Sequence, residues 1–338
     1  MTVRYVLDDY YLAITFLVSL GLQASLFVVS FLLQTDKLTD FAGSLGFFTL
    51  ALLSFFLGNE INYNARNIIA TQVVASAFAI IDSSFLLFRV LKTGGDSRFD
   101  EIRSNVFKFG FFWFSQALWG WTVSLPVTIL NSPRVSDPTR GGGRLDFGTA
   151  GDIIGIILFA LGWAIEICAD DTKYRFKSRK PPRGTINDRG VWKWSRHPNY
   201  FGEIMLWWGI YALCVSPATH DVVSGGGKRA LEASVVGPIF ITLLLLFASG
   251  IPTAEKPTAK KYYLMSHGAD REAGDKWAEY KAYLNRTSIL FPIPPSLYRP
   301  LPRWVKTYIL LDLPMYHFQE HTEGPEAIEE EKRKRSRV

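Results

Sequence analysis

The chain has little cysteine and little charge for its length. Two of its 338 residues are cysteines, Cys168 and Cys214, and both lie in apolar stretches. This argues against a disulfide framework, and no cysteine–histidine spacing typical of a zinc site is present. Charged residues make up 20% of the chain and hydrophobic residues 48%, whereas soluble domains average about 25% charged residues. The composition therefore favours a protein that lies in lipid.

Several patterns of other protein classes are also missing. The triple-glycine runs at 141–143 and 225–227 do not complete the G-x-x-x-x-G-K-[ST] pattern of a phosphate-binding loop, and we interpret them as flexible turns. The alternating pattern of a transmembrane β-barrel is absent. The net charge of +6 comes from basic residues that flank apolar stretches. The positions of these basic residues therefore indicate membrane topology, and we expect no nucleic-acid partner.

The chain does contain a series of long apolar stretches. A helix needs ~20 apolar residues to cross the ~30 Å hydrocarbon core of a bilayer, and a spanning backbone must satisfy its own hydrogen bonds. We therefore predict an all-α, polytopic membrane protein, a bundle of about seven transmembrane helices. The predicted spans are residues 10–33, 42–58, 67–91, 106–131, 149–168, 200–216 and 234–251.

Basic residues predict the orientation of the chain. Segment 169–199 contains nine lysines and arginines, and segment 92–105 contains three; both lie on one side when seven spans are counted. Because cytosolic loops carry an excess of these residues, we predict a C-terminus in the cytosol. We also predict integral membrane localisation in the endoplasmic reticulum, with a luminal N-terminus. The basic C-terminal run equally fits a plain solvated tail, and residues 322–338 have the composition of a disordered end.

The densest group of polar residues is Ser195-Arg196-His197-Pro198-Asn199, which precedes an apolar helix that carries Glu203. Ionisable groups at the edge of lipid are costly unless they bind something. Asn199 and Glu203 are four residues apart and share a helix face, and the helix N-terminus adds a partial positive charge. Together they predict a pocket for an anionic, hydrogen-bonding ligand such as a nucleotide phosphate or amide. The alternative is interfacial capping, with Glu203 paired to Arg196.

A second charged group lies where the fifth predicted span ends. Glu166, Asp170 and Tyr174 are spaced four residues apart, and Lys177 follows them. Acids followed by bases on one emerging helix can bind ribose and phosphate, although ordinary i,i+4 pairing is the alternative. Separately, Asp82 lies inside the third predicted span, where a carboxylate is a functional hypothesis by default.

These runs together resemble one family of membrane proteins. Residues 190–203, preceded by the Glu-x-x-Ala-Asp-Asp-x-Lys-Tyr-x-Phe run at 166–176, are similar to the DUF1295 group of the steroid 5-alpha-reductase-like superfamily. Supporting runs lie at 91–100, 112–126, 249–255 and 277–292. The likeness covers residues 67–295, between N-terminal transmembrane helices at 1–66 and a membrane-surface segment with a charged cytosolic tail at 296–338.

The resemblance implies a seven-helix enzyme that binds NADPH from the cytosolic side. Such enzymes reduce an activated C=C bond, usually of an enone, in a membrane lipid such as a steroid, sterol or other isoprenoid. The implied dinucleotide contacts are Asp170, Arg196, His197, Asn199, Tyr200, Glu203, Glu255 and Tyr280, to which the charged group after the fifth span adds Tyr174 and Lys177.

The substrate site is less well defined by the resemblance. The Glu–Tyr pair that grips a steroid ketone is not recognisable, but Asp82 lies near the position of its tyrosine and Glu60 is a candidate for its glutamate. We take these two as candidate catalytic residues. Two other functions stay open. Related methyltransferases use S-adenosylmethionine with a similar Arg-His-Pro-x-Tyr run, and some relatives are non-enzymatic sterol-binding proteins.

Overall fold

Helices account for the architecture of the chain. The computed structural model describes residues 5–58, 64–81, 99, 102–269 and 271–336, and no β-strand occurs among them. The predicted all-α fold is confirmed. The helices are α1 (Leu12–Leu32), α2 (Thr39–Leu57), α3 (Ala65–Ile81), α4 (Val106–Val123), α5 (Leu125–Leu130), α6 (Pro133–Ser136), α7 (Ala150–Ser178), α8 (Pro198–Thr219), α9 (Gly225–Ala233), α10 (Val236–Phe247), α11 (Ile251–His267), α12 (Lys276–Arg286), α13 (Pro295–Tyr298) and α14 (Glu323–Arg335).

Five helical segments are long and apolar enough to cross a membrane, which confirms a polytopic membrane protein. They are α1, α2, α7, α8 and the nearly continuous segment Gly225–His267, which contains α9 to α11. Of the two other predicted spans, α3 is described only as far as Ile81. The fourth is divided into α4 and α5, because Pro126 lacks the backbone N–H that a continuous helix would need.

The chain divides into two compact units that alternate along the sequence. Unit 1 consists of Met1–Ala160 and Leu206–Ile241, and unit 2 consists of Leu161–Met205 and Thr242–Val338. Helices α7 and α8 each contribute residues to both units. The candidate site described below lies entirely within unit 2.

Helix α1 of unit 1 shows a burial pattern that fits lipid. Its buried residues are all polar: Thr15, Ser19, Gln23 and Ser30. Several of its apolar residues are exposed, and Leu32 is 74% exposed. Polar side chains link α1 to its neighbours, since Ser19 Oγ donates to the Ala117 carbonyl at 2.9 Å and Gln23 Nε2 to the Ala42 carbonyl at 3.0 Å. Lipid tails are as apolar as the helix surfaces, so polar contacts of this kind help to hold helices together in a membrane.

Unit 1 also buries an ion pair. Arg66, at the start of α3, binds both carboxylate oxygens of Asp152, with Nε–Oδ1 at 2.8 Å and Nη2–Oδ2 at 2.7 Å. Arg66 Nη1 donates to the Leu145 carbonyl at 2.7 Å, and Asp152 also accepts from the backbone N–H of Gly148 and Thr149. The sequence suggests a loop position for Arg66, but the structure buries it in a fully hydrogen-bonded arrangement.

The first triple-glycine run of unit 1 packs against the residues just before the second run. The Ser224 N–H donates to the Gly141 carbonyl at 3.1 Å, and a Cβ on Gly143 would lie 2.3 Å from the Val222 carbonyl oxygen. Gly141 also has a φ of +84°, which favours glycine. The first run is therefore a tightly packed turn and the second run begins helix α9, which corrects the prediction that both are flexible turns.

The C-terminal tail is ordered along most of its length. Helix α14 covers Glu323–Arg335 and packs against α11. Lys256 Nζ pairs with Glu323 at 2.8 Å, and a second pair joins Lys260 to Glu330. Gly324 lies against the Tyr263 ring, where a Cβ would come within 2.6 Å of the hydroxyl oxygen. The expectation of a disordered tail is wrong for these residues, because ion pairs and a glycine contact fix a sequence that has few apolar side chains.

Candidate functional site

The site forms where the extended residues before α8 pass beside the residues after α12. A 3₁₀ turn at Gly190–Lys193 leads into this stretch, and Pro198 begins α8. The residue before a proline avoids helical backbone angles. The backbone N–H groups of Arg196 and His197 donate to the carbonyls of Ser288 and Ile289 at 2.8 and 3.1 Å. These bonds hold Arg196 and His197 beside the residues that follow α12.

Arg196 is the centre of a buried cluster of charges. Its side chain is 2% exposed, with Nη1 3.1 Å from Glu255 Oε2 and Nη2 2.6 Å from Asp312 Oδ1. His197 Nε2 lies 2.7 Å from the other oxygen of Glu255. Burial by itself would lower the pKa of Arg196, but the two carboxylates raise it above its ordinary value. The guanidinium is therefore charged, and its charge is already engaged by protein carboxylates.

Asp312 links this cluster to the segment after α13. Its Oδ2 accepts a hydrogen bond from the Tyr298 hydroxyl at 3.0 Å, and its Oδ1 lies 3.0 Å from His317 Nε2. Burial would raise the pKa of Asp312, but the charge of Arg196 and the hydrogen bonds from His317 and Tyr298 lower it to about 2. Asp312 is thus ionised at neutral pH.

A cavity of about 210 Å³ borders the charge cluster. Pockets that enclose drug-sized ligands occupy roughly 300–1,000 Å³, so this cavity has room for one ring and its substituent. All of its lining residues belong to unit 2. They are Lys173, Ile186, Asn187, Trp192, Arg196, His197, Asn199, Tyr200, Ala254, Glu255, Thr258, Tyr262, Tyr280 and Tyr283.

Three residues in this lining carry buried polar atoms whose hydrogen bonds are not made within the described part of the chain. The atoms are Nε of Arg196, Oδ1 of Asn187 and Oδ1 of Asn199. A buried donor or acceptor without a partner costs about 1–3 kcal/mol, and most such atoms in folded proteins are satisfied. One donor and two acceptors without partners among the described residues therefore belong to side chains of the cavity lining.

Aromatic rings form much of the cavity wall. The His197 and Tyr200 rings are stacked at 5.2 Å, and those of Tyr262 and Tyr280 at 4.3 Å. The Tyr283 hydroxyl donates to the Trp192 carbonyl at 3.0 Å. Burial, and then the nearby charge of Glu255, raise the pKa of Tyr280. Tyr280 therefore stays protonated and can donate a hydrogen bond.

Six of the ten predicted cofactor residues line this cavity: Arg196, His197, Asn199, Tyr200, Glu255 and Tyr280. The structure brings them together from the start of α8, from α11 and from α12. Their convergence is a property of the fold, because they are separated by up to 84 positions in the sequence. Arg196 pairs with Glu255 and Asp312, which corrects the alternative interpretation that Glu203 is its partner.

The four other predicted cofactor residues are not part of the described cavity lining. Glu203 and Asp170 interact electrostatically with each other. They lie near a close approach of α7 and α8, where a Cβ on Gly202 would come within 2.6 Å of the Gly162 carbonyl oxygen. Tyr174 is partly buried and Lys177 is exposed on α7.

The candidate catalytic residues Glu60 and Asp82 lie outside the described residues. Within the described ranges, no group of three or more histidine, cysteine, aspartate or glutamate side chains could bind a metal ion.

Sequence reasoning missed Asp312, although one signal points to it. Asp312 is the only acidic residue between Glu279 and Glu320, in a segment with five lysines and arginines. A single carboxylate among bases and aromatic residues is a candidate partner for a buried arginine. Asn187 and Trp192 were also missed, and they lie in a polar loop whose course the sequence does not define.

The comparisons with known proteins give one match. The family model described as "Protein of unknown function (DUF1295)" matches residues 26–271. No curated protein and no solved structure matches the chain. Asp312, Tyr298 and His317 lie beyond the matched residues, whereas the other members of the buried charge cluster lie within them.

Proposed function

The chain belongs to the DUF1295 family, and we propose that its unit 2 cavity binds NADPH for the reduction of an activated, enone-type C=C bond in a membrane lipid. One observation carries the proposal. Buried polar atoms of Arg196, Asn187 and Asn199 lack hydrogen-bond partners among the described residues, and all three residues line one ring-sized cavity. Atoms of this kind also occur elsewhere, at Gln23 Oε1 and Trp113 Nε1 for example, so the support comes from the three that belong to one cavity lining.

The residues fit the nicotinamide end of the cofactor. A carboxamide has an NH₂ donor and a carbonyl acceptor, which complement the amide oxygens of Asn187 and Asn199 and the Nε–H of Arg196. The cavity volume of about 210 Å³ suits a single ring. The His197–Tyr200 and Tyr262–Tyr280 stacks provide flat aromatic walls beside it.

The remaining parts of the dinucleotide would lie outside the cavity. Arg196 is neutralised by Glu255 and Asp312, so it is a poor partner for a phosphate. Lys173 lines the cavity. The exposed basic residues that follow it supply further positive charge for the phosphates: Arg175, Lys177, Arg179, Lys180, Arg183, Arg189 and Lys193.

NADPH would supply a hydride to the lipid when bound. The protein's own residues would orient the ring, with Asn187, Asn199 and Arg196 binding the carboxamide and the aromatic walls setting the ring plane. The Glu255–Arg196–Asp312 chain would keep these groups in place. An acid must also polarise the lipid carbonyl as enolate charge develops, and Asp82 and Glu60 are our candidates for that role. The lipid would enter laterally from the bilayer.

Thermal unfolding of the full chain in detergent tests the cofactor. NADPH at about 100 times its Kd adds about 2.7 kcal/mol of stability, so we expect the unfolding temperature to rise with NADPH. The variant Asn199→Ala removes one hydrogen bond to the ring and should weaken NADPH binding about tenfold. Asn285→Ala, the same change at an exposed position of α12, is the matched control and should leave binding unchanged.

The other possible ligands give different outcomes in the same assay. Stabilisation by S-adenosylmethionine and not by NADPH would replace the reductase proposal with a methyltransferase. Stabilisation by neither would favour a non-enzymatic lipid-binding protein. If NADPH binds, lipid analysis of cells that lack the protein should reveal an accumulated unsaturated lipid, which would identify the substrate class.

A further inference from the structure

The segment 297–309 of unit 2 exposes large apolar side chains. Tyr308 is 76% exposed and Trp304 is 59% exposed, and Leu297 and Ile309 are exposed as well. The segment contains the end of α13 and a helical stretch from Arg303 to Ile309, in which Val305–Ile309 form a π-helical turn. These side chains are costly in water, so a surface that covers them would stabilise this conformation.

The segment is firmly attached to unit 2 beneath this exposed surface. The buried Tyr298 donates its hydroxyl hydrogen to Asp312 at 3.0 Å, and the Asp312 N–H donates to the Lys306 carbonyl at 2.9 Å. Lys306 Nζ lies over the Tyr298 ring at 4.5 Å and donates to the Arg299 carbonyl at 3.3 Å. These contacts hold the segment in place, with its apolar side chains exposed.

The charge of the segment has one sign. Residues 291–311 contain no aspartate or glutamate but three bases, Arg299, Arg303 and Lys306. Arg299 and Arg303 are exposed beside Leu297 and Trp304 in the sequence. Tryptophan, tyrosine and arginine together are typical of the boundary between water and lipid, and bases near that boundary attract anionic headgroups.

The C-terminal helix α14 provides a contrast within the same unit. It contains four bases and five glutamates, and its bases pair along the helix, with Arg333 3.3 Å from Glu329 and Lys334 2.9 Å from Glu330. Helix α14 has no exposed large apolar side chain. The basic run at the end of the chain is therefore balanced, whereas the 297–309 segment is not.

We propose that the 297–309 segment is a docking surface for anionic lipid headgroups of the bilayer in which the protein is embedded. Trp304, Tyr308 and Ile309 would enter the headgroup region, and Arg299 and Arg303 would pair with anionic phosphates. This surface does not depend on the NADPH proposal, because it involves no residue of the cavity lining.

The test uses the full chain in nanodiscs of brominated lipid, because bromine on acyl chains quenches tryptophan by contact. One set contains phosphatidylcholine alone and the other adds phosphatidylglycerol. The chain has ten tryptophans, so the Trp304 emission is obtained by subtracting the spectrum of Trp304→Phe from that of the unmodified protein. We expect quenching of the Trp304 emission, and stronger quenching when phosphatidylglycerol is present.

Two variants separate this surface from general basicity. Arg299→Gln with Arg303→Gln should abolish the increase that phosphatidylglycerol causes, whereas Arg333→Gln with Arg335→Gln in α14 should leave it intact. The proposal is overturned if the Trp304 emission is quenched by aqueous acrylamide and not by brominated lipid. It is also overturned if quenching is equal in the two lipids, or if Trp304 is protected only at protein concentrations that allow a second copy to bind.

Discussion

Among the described residues, each unit buries one arginine with carboxylate partners, and the two arginines differ in how completely their hydrogen bonds are made. In unit 1, Arg66 has a single acidic partner, Asp152, and donates from Nε, Nη1 and Nη2. In unit 2, Arg196 contacts two carboxylates through its terminal nitrogens, and its Nε has no hydrogen-bond partner among the described residues. The second arrangement borders the cavity described above.

We interpret the Arg66 pair as purely structural, whereas our proposal makes the Arg196 cluster part of a binding site. A buried pair of matched charges with complete hydrogen bonds connects helices in lipid and leaves nothing for a ligand. Two carboxylates around one arginine, with a histidine on the second oxygen of Glu255, form a polar network in which Arg196 Nε has no hydrogen-bond partner among the described residues. Networks of this kind are costly unless something completes them, which is why we assign binding to unit 2.

The largest effect should follow from breaking the satisfied pair of unit 1. Asp152→Asn leaves the Arg66 charge buried beside a neutral partner, and breaking a buried pair in this way costs about 3–5 kcal/mol. We expect a large fall in the thermal unfolding temperature of the full chain in detergent. Asp221→Asn, which breaks the exposed Lys228–Asp221 pair of the same unit, should have no measurable effect. Equal stability of the two variants would contradict the structural role of the Arg66 pair.

An intermediate effect should follow from pH at Asp312. Arg196, His317 and Tyr298 overcome the effect of burial and lower its pKa from 3.8 to about 2, which corresponds to about 2 kcal/mol of folding stability. Because the folded pKa is the lower one, this stability is present above pH 3.8 and is lost as the pH falls to about 2. The unfolding free energies of the unmodified protein and Asp312→Asn should therefore differ at pH 5 and converge near pH 2. A difference that persists unchanged at low pH would show that the Asp312 charge is not responsible.

The sequence predicted the helices and part of the site, for different physical reasons. Spans such as α1 and α8 follow from apolar length alone, since the bilayer sets how many residues a helix needs. The Arg196–Asn199 run was recognised because charge is costly at the edge of lipid. Asp312 was missed because its role depends on a contact across 116 positions, and no local period or spacing encodes such a contact.

The burial of unit 1 was equally hidden from the sequence. Arg66 lies next to a predicted span and looks like an ordinary flanking base, yet it contacts Asp152 across 86 positions. The Gly141–Gly143 run looks like a flexible turn because glycine permits many conformations. Only its close packing against Val135 and Val222 shows that a side chain would not fit there. Composition indicates where a chain can bend, whereas tertiary contacts decide whether it is packed there.

The smallest effect on unfolding stability should come from replacing one asparagine by alanine in each unit. These two variants also give the sharpest contrast between the units. Asn131 in unit 1 donates to Ser54 and Thr71 at 3.2 and 3.0 Å and accepts from Asn67 at 2.8 Å. Asn131→Ala leaves these partners without their bonds and should cost about 1–2 kcal/mol. Asn199→Ala instead removes a buried oxygen that has no partner among the described residues, so the unfolding temperature without ligand should stay the same or rise slightly.

Ligand binding should reverse this order of effects. Because Asn131 lies in unit 1 and Asn199 lines the unit 2 cavity, NADPH should raise the unfolding temperature of Asn131→Ala as much as that of the unmodified protein. It should raise the temperature of Asn199→Ala less. A loss of unliganded stability in Asn199→Ala as large as that in Asn131→Ala would mean that both amides belong to satisfied structural networks. The proposed difference between the two units would then be wrong. It requires that the buried polar atoms of the unit 2 cavity lining lack hydrogen bonds until a ligand binds.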